Sequence, residues 1–190
     1  MTRIPTHTMP DAPEASRPLL EGTVQFSPTG NLLNLHAQMA HSPAVLAAYV
    51  SLRQATGTYG TLDPRTRPAL MLAAAGAVGN AYAETITSAL ALRAGWSQSE
   101  VLALRTGRSV GDEKTDALAA VVREAAARAG RVSDLAWQRA AAVGWDSERL
   151  AEVFAYLALT IFTAYFLNYA QTPGDLPADV AGAVAAGGRD

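Results

Sequence analysis

The stretch that decides the fold is residues 68–95, PALMLAAAGAVGNAYAETITSALALRAG. Ala, Gly, Ser and Thr dominate it, and Glu84 is the only charged residue before Arg93. This composition predicts two apolar helices, or one long interrupted helix, that neighbouring helices can approach closely. Gly76 and Gly79 predict a bend or a close packing contact within the stretch.

Glu84 is the chemical anomaly of this stretch, because charged groups are rarely buried without a partner. Asn80, Glu84, Thr87 and Ser88 lie about one helical turn apart and would share a face of a helix. Two interpretations stay open. Glu84 is a general acid or base in an apolar pocket, or it is a structural carboxylate at a rim or subunit interface, paired with one of the arginines Arg65, Arg67 or Arg93.

Composition limits the classes of protein to which this chain can belong. The chain has 190 residues, of which 49% are hydrophobic and 17% charged, and a net charge of −2. One helical domain buried on several sides fits these values, and no basic stripe indicates a nucleic-acid partner. Because the chain has no cysteine, disulfides, thiolate metal sites and cysteine nucleophiles are excluded.

Three segments are predicted along the chain. Residues 1–30 hold half of the prolines and read as an extended or flexible arm. Residues 31–172 form the helical domain, and residues 173–190 form a small-residue, flexible tail. The N-terminus has no apolar signal region, so we expect a cytoplasmic protein.

Capping residues predict the helix boundaries. Ser-Pro, Asp-Pro and the capping box Ser97–Glu100 mark helix starts, and Gly95 marks a helix end. No strand-like alternation is present, so the fold class is all-α. Besides the central pair, we expect helices over 31–40, 43–55, 97–105, 112–129, 133–143 and 147–169, with a turn at 56–61.

The last helix contains a continuous apolar run at residues 153–167, VFAYLALTIFTAYFL. Fifteen residues is short for a bilayer span, which needs about 20. We therefore expect a helix buried on all sides and no membrane partner. Its aromatic residues fit core packing, or alternatively the wall of an apolar ligand cavity.

Other candidate sites carry little signal. His36 and His41 do not share a helix face, so they are a poor metal pair. No phosphate loop, Ser-His-Asp order or zinc motif is found. The sequence predicts no metal and no cofactor.

Four segments together resemble the carboxymuconolactone decarboxylase family, in its alkylhydroperoxidase D-like branch. They are HSPAVLAAYVSL (41–52), LDPRTRPALMLAAA (62–75), NAYAETITSALALRAGWSQSEVLAL (80–104) and WDSERLAEVFAYLALTIFTAYFLNYAQTPGDLP (145–177). The resemblance implies an all-helical fold that assembles as a homo-oligomer, a trimer or hexamer, with a dimer as the alternative.

The chemical positions of the thiol branch are changed here. The resemblance puts that branch's two cysteines at Asn80 and Ala83, its histidine at Thr87 and its upstream glutamate near Pro68, while Tyr82 is kept. Without a thiol nucleophile, we expect no thiol peroxidase activity.

Two functions follow as hypotheses. The first is a thiol-independent enzyme on a small organic substrate, with Glu84 as acid or base, Tyr82 and Thr87 assisting, and Asn80 and Ala83 contacting the substrate. The alternative is a catalytically silent ligand-binding or assembly protein on the same fold. The family's peroxidase and lactone decarboxylase activities leave open whether this chain is an enzyme.

Overall fold

The computed structural model describes residues 2–27 and 30–176, and these ranges are all helix, turn and loop without a strand. The predicted all-α class is confirmed. The α-helices of the described ranges are α1 (Arg17–Thr23), α2 (Asn34–Met39), α3 (Pro43–Tyr59), α4 (Thr66–Val78), α5 (Ala81–Arg93), α6 (Gln98–Thr106), α7 (Glu113–Ala127), α8 (Asp134–Ala142) and α9 (Ser147–Ala170).

Helix α4 is the central element, and it contacts α5, α6, α7 and α9. Its alanines 73–75 are fully buried, so neighbouring backbones come close. At Gly76, an added Cβ atom would lie 2.1 Å from the carbonyl oxygen of Arg105 on α6. Gly76 is therefore a close packing contact, as one of the two interpretations predicts. The chain changes direction at Gly79 instead.

The central pair is divided at Gly79 and Asn80. Gly79 adopts the left-handed conformation (φ 72°), and its N–H donates to the carbonyl of Ala75. The side chain of Asn80 then accepts a hydrogen bond from the Ala83 N–H and caps α5. Because only glycine adopts this backbone at little cost, the break is set by local sequence.

Two junctions in the fold use the same contacts. After the left-handed Gly95, the indole of Trp96 donates to the carbonyl of Arg65 at 2.8 Å, and the Arg65 guanidinium lies over the ring. After the left-handed Gly144, Trp145 repeats both contacts with Lys114. Each tryptophan thus ties the end of one helix to the start of an earlier one.

The N-terminal segment differs from the predicted extended arm. Residues Glu14–Phe26 form short helices that include α1, and Leu20 on α1 is fully buried. The Ser16 hydroxyl donates to the carbonyl of Ala40 at 2.7 Å. The segment packs on α2 and α3 because its few apolar residues complete the second hydrophobic cluster of the core.

The turn expected at residues 56–61 is displaced, because α3 continues to Tyr59. The Thr56 hydroxyl donates to the carbonyls of Leu52 and Arg53 within the helix. The Tyr156 hydroxyl on α9 donates to the carbonyl of Thr56. These tertiary contacts outweigh the turn preference of the two glycines in this segment.

Helix α9 is not buried on all sides, contrary to the expectation. Phe154, Tyr165 and Tyr169 are 64%, 59% and 69% exposed, and they border an apolar groove of about 740 Å³. By length and composition α9 is long and apolar enough to cross a membrane. Of the residues in its most apolar part, 44% are buried in the protein. Core helices of soluble proteins meet the same criteria, so this helix does not assign a membrane.

The predicted C-terminal tail is partly described. Asp175 folds back on the helical domain and accepts a hydrogen bond from the Asn34 N–H at 2.5 Å. Residues 177–190 lie outside the described residues.

Candidate ligand site

A small internal cavity, which we call the inner chamber, lies between α2, α3, α4, α5 and α9. Its volume is about 30 Å³, roughly the volume of one water molecule in the liquid. Its walls are mainly apolar, with a few polar groups at one end. The lining residues are Leu33, Leu35, His36, Tyr49, Arg53, Met71, Ala83, Ile86, Thr87, Leu90, Leu159, Thr160 and Thr163.

His36 is the unusual residue of this chamber. It lies on α2 and is 1% exposed. Neither of its ring nitrogens has a hydrogen-bonding partner among the described residues. Its ring lies beside Tyr49 of α3, with 5.0 Å between the ring centroids. Buried polar atoms are nearly always paired, so this side chain requires an explanation.

The electrostatic environment of the chamber keeps His36 and Tyr49 uncharged. Burial, assisted by the positive charge of Arg53, lowers the pKa of His36 to about 3. Burial raises the pKa of Tyr49, and Arg53 opposes that shift only in part. At neutral pH, His36 therefore has one N–H donor and one acceptor nitrogen, and Tyr49 keeps its proton.

An open cleft of about 370 Å³, which we call the outer cleft, lies beside the chamber. The two cavities share Arg53, Met71 and Leu90 as lining residues. We call these three side chains the partition. Shared lining residues place the two cavities next to each other, and Met71 has the most adaptable side chain of the three.

The outer cleft is cationic. Arg53 of α3, Arg67 of α4 and Arg93 of α5 all line it. Arg67 is held by the backbone, since its guanidinium donates to the carbonyls of Leu62 and Gly60 at 2.6 and 3.2 Å. These carbonyls are neutral acceptors, so the charge of Arg67 is retained at the cleft.

Thr87 and Ala83 are the predicted site residues that the structure brings into the inner chamber. They lie on the same face of α5 as Ile86 and Leu90, as helical spacing requires. The Thr87 hydroxyl donates to the Ala83 carbonyl at 2.8 Å. Its oxygen can still accept a hydrogen bond from a ligand.

Asn80 and Tyr82 lie elsewhere, at a second cleft beside the C-terminal end of α9. Asn80 caps α5 and donates to the side chain of Asn168 at 2.6 Å. The Tyr82 hydroxyl donates to the carboxylate of Asp175. Burial and this carboxylate raise the pKa of Tyr82 well above its usual range. Both side chains thus have structural partners.

Glu84 lines neither the inner chamber nor the outer cleft. It follows Ala83 by one residue, so its side chain points about 100° away around the helix. There it interacts electrostatically with Arg123 of α7. Arg123 also donates to the backbone carbonyl of Ala73 on α4. Glu84 is half-buried, and its predicted acid–base role stays a prediction.

Arg65, one of the arginines expected to pair with Glu84, and Ser88, on the same helix face, both lie in other surroundings. Arg65 pairs with Glu100 at 3.2 Å rather than with Glu84. Ser88, on the same face of α5, is fully buried, and its hydroxyl has no hydrogen-bonding partner among the described residues. The four polar residues of this face therefore do not form one site.

Sequence analysis missed His36, Tyr49 and Arg53 as site residues. The available signal was weak: His36 is a polar residue in the short, mostly apolar helix α2. No local spacing reveals that α2, α3 and α5 meet at one cavity. Among the described residues, no cluster of three or more His, Asp or Glu side chains could hold a metal ion.

Solved structures define the class of this fold. A Cys-to-Ala variant of the debrominase Bmp8, in complex with 2,3,4-tribromopyrrole, superposes with a TM-score of 0.82 at 18% identity, covering 98% of this chain and 97% of that one. The apo form of Bmp8 gives the same TM-score and identity. A peroxidase-related protein with an alkylhydroperoxidase AhpD core, from Ralstonia eutropha JMP134, gives 0.79 at 14% identity, covering 92% of each chain. At these identities the likeness establishes the fold.

A separate comparison matches one segment of the chain to a protein family. Residues 43–120 match the carboxymuconolactone decarboxylase family. The predicted family is confirmed for this segment, which in this chain is cysteine-free. No curated protein matches the chain significantly. Three of the positions that the resemblance assigned to thiol chemistry, Pro68, Ala83 and Thr87, line the outer cleft or the inner chamber.

Proposed function

We propose that this protein binds a small organic molecule without thiol chemistry, with a polar group of that molecule hydrogen-bonded to His36 in the inner chamber. The observation that carries the proposal is the buried imidazole whose nitrogens have no partner among the described residues. A ligand atom in the chamber would supply that partner.

The energetic cost of His36 supports a functional role. An unpaired buried polar group costs roughly 1–3 kcal/mol of folding free energy. A leucine would fill a similar volume among the apolar neighbours Leu35 and Leu159 without this cost. Stability alone therefore does not account for a histidine at this position, whereas ligand recognition does.

The size of the two cavities suggests how a ligand is placed. The inner chamber has room for one small group, and the adjoining outer cleft of about 370 Å³ has room for the rest of the molecule. Entry requires Met71 or another side chain of the partition to change its rotamer. Binding by a rotamer change leaves the helical scaffold intact.

A small ring compound suits the walls where the two cavities meet. Met71 and Leu90 line both cavities, and Tyr49 and Ile86 add apolar surface in the inner chamber, which itself has room for one small group only. Bmp8, on the same fold, has been crystallised with 2,3,4-tribromopyrrole. Because this chain has no cysteine, we propose neither thiol peroxidase activity nor any other thiol-dependent reaction for it.

Catalysis is the second candidate function. A neutral imidazole beside a protonated tyrosine, in a cavity from which water is largely excluded, can donate hydrogen bonds to an oxygen that gains charge during a reaction. The pKa of His36, about 3, makes it a weak base. Since Glu84 lines neither cavity, binding has more support from the geometry than turnover does.

The test is a calorimetric titration of the full chain with 2,3,4-tribromopyrrole, using wild type, His36→Leu and the control His41→Leu. His41 is exposed and bonds the Pro5 carbonyl at 2.8 Å. We expect His36→Leu to lose at least about tenfold in affinity, as one hydrogen bond to a buried partner is removed, and the control to bind as wild type. Equal affinity in all three proteins would exclude the chamber as the site.

The variant Glu84→Gln tests whether the protein also turns over a ligand that it binds. If Glu84 acts as acid or base, this variant loses activity on a substrate that it still binds. If Glu84 serves structure through Arg123, the variant instead shows a lower melting temperature and unchanged binding.

A further inference from the structure

We infer that the outer cleft is an anion subsite, so that the ligand is a small organic anion with its charged end against Arg53, Arg67 and Arg93. This inference rests on the proposed function, because it places the body of the same ligand at the partition and its inner end at His36. It deepens that proposal by naming the class of ligand.

Three helices bring the arginines together. Arg53 lies in the last two turns of α3, Arg67 in the first turn of α4 and Arg93 at the last residue of α5. The other residues that line the cleft are uncharged, among them Pro64, Pro68 and Leu90. A cleft that combines positively charged side chains with apolar walls concentrates anions.

One carboxylate lies near the cleft without lining it. Glu152 interacts electrostatically with Arg67. Its oxygens are engaged by the backbone N–H groups of Thr61 and Leu62, at 2.8 and 3.1 Å, and by the Thr61 hydroxyl. Glu152 therefore fixes the loop before α4 and does not line the cleft.

Arg53 connects the two cavities. It lines both, and its charge acts on His36 and Tyr49 on the inner side and on Tyr156 on the outer side. An anion bound at the cleft would thus lie next to the partition. Arginine suits this role because its planar guanidinium bonds a carboxylate with two parallel hydrogen bonds.

Benzoate and benzamide are matched probes, since they share shape and differ in charge. We expect the full chain to bind benzoate at least about tenfold more tightly than benzamide, since hydrogen bonds between charged groups are the stronger ones. Arg67→Gln and Arg93→Gln should each weaken benzoate binding severalfold and leave benzamide unchanged. Arg149→Gln, which removes the same charge from a surface pair with Asp146, is the control.

Folding and charge can be separated. Arg93 is exposed, so Arg93→Gln should melt like wild type while it loses affinity for benzoate. Equal binding of benzoate and benzamide, no measurable benzoate binding, or unchanged benzoate affinity in both glutamine variants would overturn the anion subsite. Loss of tribromopyrrole binding in His36→Leu would still stand in those cases. Failure of that separate result would count against the proposed function itself.

Discussion

At the scale of single residues, His36 is a buried polar side chain whose ring nitrogens have no hydrogen-bonding partner among the described residues. Replacing it by leucine keeps the buried volume and removes the unpaired nitrogens. We expect His36→Leu to raise the free energy of unfolding by about 1 kcal/mol while it weakens ligand binding at least about tenfold. Urea unfolding of both proteins measures this. A clear loss of stability in the variant would show that His36 makes contacts that support the fold.

The protonation of His36 gives a second prediction at this scale. Burial holds the pKa of His36 at about 3 in the folded state, against 6.5 in the unfolded chain. Between these values the unfolded state binds a proton that the folded state does not. The contribution of neutral His36 to the free energy of unfolding is therefore fully present above pH 6.5. It is lost as the pH falls below that value, at up to about 1.4 kcal/mol per pH unit.

The window from pH 7 to pH 5 isolates this effect, because the carboxylates with lowered pKa values, such as Asp63 and Asp112, titrate below it. The difference in unfolding free energy between pH 7 and pH 5 should be smaller in His36→Leu than in wild type. An identical pH dependence in both proteins would contradict a neutral, buried His36.

At the scale of helices, two glycines with the same local role make a matched pair. Gly57 lies inside α3, and an added Cβ atom would meet nothing within 4 Å. Gly57→Ala should stabilise the protein by about 0.5–1 kcal/mol. Gly76 lies inside α4 against the Arg105 carbonyl, so Gly76→Ala must separate α4 from α6 and should cost more than about 2 kcal/mol. Thermal unfolding of both variants tests the packing of α4, and similar effects would contradict it.

Helix boundaries were the part of this fold that local chemistry could predict. Gly95 and the Ser97–Glu100 box act through backbone groups within a few residues, and each ends or starts a helix as expected. The extent of α3 was missed because Tyr156, distant in sequence, bonds the carbonyl of Thr56. A tertiary contact of that kind leaves no local signal.

The site could be predicted only in part, for the same reason. Thr87 and Ala83 were named through the family resemblance, which assigns them to positions of thiol chemistry, and both line the inner chamber. Glu84 stood out by composition, but one residue of helical rotation turns it toward Arg123. His36 and Arg53 belong to α2 and α3, and their meeting with α5 depends on how helices pack, which no single segment encodes.

At the scale of the whole molecule, the aromatic face of α9 is an apolar surface that the described residues leave uncovered. We propose that a second copy of this chain covers it in a homo-oligomer, in line with the family resemblance. Phe154→Glu should lower the molecular mass measured by light scattering, since it buries a charge in an apolar contact. Tyr59→Glu, at an exposed residue of α3, is the control. Equal masses for wild type and Phe154→Glu would remove this face as the interface.

The central claim, a thiol-independent ligand site at His36, is tested most directly by diffraction from crystals soaked in 2,3,4-tribromopyrrole. The anomalous signal of bromine locates the ring without ambiguity. We predict bromine peaks in the inner chamber or against the partition of Arg53, Met71 and Leu90, with the ring within about 4 Å of His36. Peaks confined to the cleft beside Asn80 and Tyr82, or to the α9 groove, would contradict the account.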